Sequence, residues 1–215
     1  MRMLYKIIPG AVVVSTLLAG FSSQADIVYD NSSNDLNTRF NPDVAQVGDQ
    51  IILTGSGLTL TNFTFQYWGT GFGGNELAQI RFYNNDGTNF IAGAPVPNTQ
   101  FFDSGQFAIG GTARATLSFD LTGLGIVATN NTFTWSVQFF NVNNTSEKAG
   151  VDLYSPPTVG QNYSDYWEAN GGGWSLKSGP QDMSFAARVS AVPEPSILAL
   201  LGLGGLAGAF LRRRK

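Results

Sequence analysis

The side chains able to do chemistry in this 215-residue chain are carboxylates and aromatic rings, because it has no cysteine and no histidine. A Ser-His-Asp or Cys-His nucleophile therefore cannot be assembled. Zinc or iron sites built on imidazole or thiolate are excluded for the same reason. Carboxylate chemistry, hard-cation binding through oxygen, or binding without catalysis remain. Asp152, Asp165 and Glu168, with Glu76 and Asp86 elsewhere, are the acids to consider for a glycosidase. Such an enzyme needs two carboxyls about 5–9 Å apart across a sugar. No local spacing singles out a pair, and solvated surface acids explain these residues better. No catalytic residue and no enzymatic activity are expected, with a carbohydrate-active hydrolase as an alternative.

Asn84, Asn85, Asp86 and Thr88 place oxygens around one tight turn. Calcium takes about six to eight oxygen ligands, more than this turn offers, and a hairpin explains Asn-Asp-Gly without a metal. The expectation is no metal ligand and no cofactor, with calcium at this turn kept as an alternative. The aromatic candidates are Tyr163, Tyr166, Trp167 and Trp174, set beside Asn170 and three glycines. Rings on glycine-rich loops can stack on sugar faces while nearby amides bond hydroxyls. The competing reading is that they close the ends of a core, since such rings carry large burial energy. Tyr67, Trp68 and Phe72, beside Gly69, Gly71 and Gly73, form a second aromatic group.

The elements that must position these groups are strands. Apolar and polar residues alternate over 112–121, 132–139, 183–189 and 77–83. Period two with β-branched and aromatic residues marks half-buried strands. Phe133, Trp135, Val137 and Phe139 share one face, which makes Trp135 a core residue. Leu58 and Leu60 give way to Phe63, Phe65 and Tyr67, so the parity flips near Thr61-Asn62. A β-bulge there restores a common inward face. Asn85-Asp86-Gly87, Gly110-Gly111 and Asn130-Asn131 are turn signals. No amphipathic helix is expected between residues 26 and 190. About ten strands in this length predict an all-β, antiparallel two-sheet sandwich, jelly-roll-like.

Both ends of the chain read differently. Arg2 and Lys6 precede a mostly apolar stretch, Ile7 to Leu18, and Ser23-Gln24-Ala25 is a small-x-small cleavage site. This pattern is that of a secretory signal peptide, residues 1–25, cut after Ala25. At the other end Val192-Pro193-Glu194-Pro195-Ser196 leads into an apolar, glycine-rich run over 197–211 and then Arg212-Arg213-Arg214-Lys215. Fifteen residues make a helix of roughly 22 Å, short against a hydrocarbon core of about 30 Å. Snorkelling arginines and local thinning cover part of the difference. The basic cluster holds the cytoplasmic side, which leaves Pro-Glu-Pro near the outer face of the inner membrane. The domain boundaries expected are thus 1–25, 26–190 and 191–215, with 189–196 as a short linker.

The Pro-Glu-Pro signature, apolar segment and basic stop, in that order at the terminus, resemble the PEP-CTERM sorting signal of Gram-negative bacteria. Residues 81–87, 103–105, 133–139, 152–157 and 166–167 resemble stretches of some PEP-CTERM ectodomains, which are β-sandwiches at the cell surface. The resemblance implies Sec export, transient anchoring in the inner membrane and processing by an exosortase. It also implies an end state at the cell surface, in the outer envelope or in extracellular matrix, linked with exopolysaccharide and biofilm. All fifteen acidic residues but only six basic ones lie in 26–194, a net charge of −9. Such a domain repels nucleic acid and anionic membrane. Polysaccharide remains a candidate partner, either for a non-enzymatic matrix protein or for a surface-displayed carbohydrate-binding module.

Overall fold

The computed structural model describes residues 24–171 and 173–193. Among them are sixteen strands and no helix. In chain order the first eight are β1 (Asp26–Asn31), β2 (Asp35–Phe40), β3 (Gln46–Ile52), β4 (Leu58–Thr70), β5 (Leu77–Asn84), β6 (Phe90–Ile91), β7 (Ala94–Pro95) and β8 (Gln100–Ala108). Then come β9 (Ala115–Asp120), β10 (Val127–Ala128), β11 (Thr132–Phe140), β12 (Lys148–Tyr154), β13 (Gln161–Asn162), β14 (Asp165–Ala169), β15 (Trp174–Ser178) and β16 (Ala187–Pro193).

They form two antiparallel sheets and a small β6–β7 hairpin. Sheet one runs β1-β16-β4-β12-β2, with β9 and β10 on β4. Sheet two runs β15-β14-β3-β11-β5-β8, with β13 on β3. Within these, β1-β16-β4-β9 and β3-β11-β5-β8 make a jelly roll, in which the first and last strands are neighbours. The count exceeds ten because several strands are only two residues long. The expected strand over 112–121 is shorter, Ala115–Asp120, since Arg114 leaves the ladder to meet carboxylates. The three turn signals all fall between strands.

Alternation positions the core as the pattern predicts. Ala78, Ile80 and Phe82 of β5 and Phe133, Trp135, Val137 and Phe139 of β11 are buried between the sheets. Phe63 packs edge-on to Trp135 at 5.2 Å and to Phe82 at 4.9 Å, geometry that suits ring quadrupoles. The parity flip in β4 is a bulge. Ser190 pairs with Asn62 but Ala191 with Leu60, so Thr61 is the extra residue. The bulge keeps Leu58, Leu60, Phe63, Phe65 and Tyr67 on one inward face.

Period two also carries a carboxylate inward. Val47, Asp49 and Ile51 of β3 alternate, and all three are fully buried. Asp49 Oδ2 accepts the Phe185 amide at 2.9 Å, while Oδ1 has no partner. Burial drives its pKa well above the ordinary carboxylate value; the Phe185 bond opposes this, and Asp182 and Asp165 add to it. The folded state therefore holds a proton that the unfolded chain releases. That stabilisation is complete below the unfolded carboxylate value and is lost as pH rises toward the folded one, at up to about 1.4 kcal/mol per unit. Asp49→Asn should raise the urea midpoint at pH 8 and leave it nearly unchanged at pH 4. Unfolding curves of the two proteins at both pH values check this.

Candidate functional site

The two ends of the described chain meet at one corner of sheet one. β1 and β16 pair antiparallel with Asp26 opposite Ala191. Ala25 is exposed directly before that pair. Val192 and Pro193 continue β16 along β4, opposite Thr59 and Leu58. The linker expected over 189–196 is therefore strand from its start as far as Pro193. Val189 and Ala191 are buried and bind these residues to the core. Ser23, Glu194, Pro195, Ser196, the run over 197–211 and Arg212 to Lys215 lie outside the described residues. Among those described, no helix is long and apolar enough to cross a membrane.

The four aromatic candidates do not share an exposed face. Tyr166 lies in the core, edge-on to Phe40 at 4.9 Å. Trp167 is completely buried, with its indole N–H on Gln50 Oε1 at 3.3 Å. Both are packing residues. Tyr163 is 44 % exposed. Trp174 is half-buried and sits edge-on to Tyr83 at 5.3 Å. The pair stands on the solvent side of sheet two, since Tyr83 alternates with the buried Phe82. Beside it Arg81 donates to Gln46 at 3.1 Å and pairs with Asp103 at 3.2 Å, while Gln46 donates to the Tyr83 hydroxyl at 3.0 Å. Asp103 is held below the usual carboxylate range: burial pushes it up, but Gln79, the Gly105 amide and Arg81 outweigh it. In the second aromatic group, Tyr67 is buried, with its hydroxyl bonded to Gly110. Phe72 lines an open depression of about 660 Å³ walled by Gly69–Gly74 and Ile109–Ala113.

The carboxylates are distributed and mostly engaged. Asp152 is not a solvated surface acid but fully buried on the outer side of sheet one. Arg39 lies 3.5 Å from it and Arg114 3.3 Å, with Arg114 also 2.8 Å from Asp35. Burial pushes Asp152 up against the pull of both guanidiniums. Glu76, also buried, caps the β4–β5 turn by accepting the Gly73 and Gly74 amides at 2.6 and 2.9 Å. Burial acts to raise Glu76, yet these amides hold it below the usual range. Asp165 and Glu168 sit on β14, and burial raises Asp165. At the turn proposed for calcium, Asp86 accepts the Thr99 amide at 2.9 Å and Asn85 the Thr134 hydroxyl at 2.9 Å. Those oxygens are committed to the loop. Among the described residues, no group of three or more His, Cys, Asp and Glu is placed to hold a metal.

Comparison with known proteins adds one decisive finding. Residues 191–215 match the PEP-CTERM protein-sorting motif. The chain carries a PEP-CTERM signal. That motif marks an exported protein, anchored in a membrane for sorting and processed by an exosortase. No curated protein and no solved structure matches the chain. The PEP-CTERM match begins at Ala191, inside β16, so the signal and the sandwich overlap by three residues. Sequence reading missed this, and it also missed Tyr83, Arg81, Arg39 and Arg114 as organisers of the two outer faces. Outward parity in β5 was the available signal for Tyr83 and Arg81.

Removing Arg114 strands part of a buried charge. Breaking a buried pair costs about 3–5 kcal/mol, but Arg39 remains and Arg114 is 37 % exposed. Arg114→Ala should therefore cost about 1–2 kcal/mol, and Arg114→Ala with Asp152→Asn distinctly less. A double-mutant cycle in urea checks it.

Proposed function

We propose that this chain is a non-enzymatic, exported display protein. A signal peptide over residues 1–25 directs it through the Sec machinery. The apolar run over 197–211 and Arg212 to Lys215 hold it in the inner membrane. The exosortase then acts at Pro193-Glu194-Pro195, which within this chain is substrate. The β-sandwich is delivered to the cell surface, outer envelope or extracellular matrix, in association with exopolysaccharide. The observation that carries this reading is the match over residues 191–215. The Asp26–Ala191 register supports it, since it lets both processing steps reach one exposed edge without unfolding the core. Glu194→Ala, or replacement of the four basic residues at 212–215, should leave full-length 23.0 kDa precursor in the inner-membrane fraction. Fractionation and intact mass check this, and normal maturation of both variants counts against the proposal.

A second reading, a surface-displayed carbohydrate-binding module, is favoured by one observation. The Tyr83–Trp174 pair lies beside Arg81, Gln46 and Asp103 on the open side of sheet two, an apolar platform with a few polar groups. Under this reading Trp174→Ala abolishes glycan-array binding and leaves the near-ultraviolet spectrum of the buried Trp135 and Trp167 intact. Absence of glycan binding by the unaltered protein leaves the matrix role alone.

A further inference from the structure

Pro193, the last described residue, is held in the sheet opposite Leu58. The apolar run starts at Ile197, so only Glu194, Pro195 and Ser196 lie between them. Four Cα–Cα steps span at most about 14 Å. In the anchored precursor, Pro193 therefore stays within that distance of the start of the membrane segment, and its cross-strand partner Leu58, about 5 Å away, within about 20 Å. A domain on so short a tether must turn a definite surface to the bilayer.

Three loops surround Leu58. Thr54 to Gly57 runs directly into it, and the Thr54 amide bonds the Val28 carbonyl at 3.0 Å. Residues 129–131 follow Ala128, which pairs with Leu58, and Asn131 accepts the Leu53 amide at 2.6 Å. Residues 122–126 return beside β4, where Ile126 accepts the Leu60 amide at 2.8 Å. None of these loops contains a charged residue, in a domain whose net charge is −9. Asp26, opposite Ala191, and Asp120, opposite Asn62, flank these loops, and Glu194 follows Pro193 in the tether. Leu124, at the tip of one loop, is 61 % exposed, and Ile27, next to the paired ends, is 37 % exposed. An acidic domain approaches an anionic leaflet most easily through an uncharged surface, and an exposed leucine gains from leaving water there.

We infer that the loops around Leu58 form a membrane-apposed face: before processing, this end of the sandwich rests on the outer leaflet of the inner membrane, with Leu124 at the lipid interface. The inference depends on the anchoring proposed above. The absence of cysteine allows a direct test. Leu124→Cys and Val44→Cys place single labels at sites 61 % and 60 % exposed. Val44 precedes β3, whose seven residues span roughly 20 Å and lead at their Ile52 end toward Leu58, so the Val44 label stands at the far end of that strand. Full-length precursor from cells lacking exosortase is nitroxide-labelled and reconstituted in vesicles of phosphatidylethanolamine and phosphatidylglycerol bearing a lipid-linked nickel chelate. Relaxation enhancement several-fold greater at position 124 than at 44 is expected. Equal enhancement, or a larger effect at 44, overturns the inference while anchoring stands. Precursor that does not remain with the vesicles overturns the anchoring and the inference together.

Discussion

The fold depends on the pairing of β4 along both its edges. This thirteen-residue strand carries β16 and then β12 along one side, β10 and β9 along the other. Its inward side chains supply Phe63 and Phe65, which meet Trp135 of the facing sheet. A strand this long turns its side chains to the wrong face after any uncompensated slip. The bulge at Thr61 is the compensation, and the position of β16, and so of the sorting signal, follows from it.

Much of this was legible in the sequence. The alternation of β11 and β5 was plain because each strand has one buried face, and the flip at Thr61-Asn62 disclosed the bulge. The exceptions share a cause. Asp152 reads as a surface acid, but Arg39 from β2 and Arg114 from the loop before β9 converge on it from distant positions. Trp167 reads as a platform ring, yet β14 buries both Tyr166 and Trp167, so no alternation separates inside from outside. Burial of a polar or aromatic residue by long-range partners leaves no periodic trace.

The candidate site divides the same way. A linear address is legible because its recognition depends on residue order alone. That its first residues are also a strand depends on β4, more than 120 positions earlier, and nothing within 189–196 discloses it. The outer-face network of Arg81, Gln46 and Tyr83 likewise joins β5 to β3 through side chains far apart in the chain.

β16 lies between β1 and β4, and among the described residues β1 has no other strand beside it, only an isolated bridge from Asp30 to Val159. The first strand of the chain therefore waits for the last of those described. Contacts of such long sequence separation form late and slowly. The sandwich cannot close until Pro193 is free to pair with Leu58. Completion of the fold thus waits on residues that also open the sorting motif.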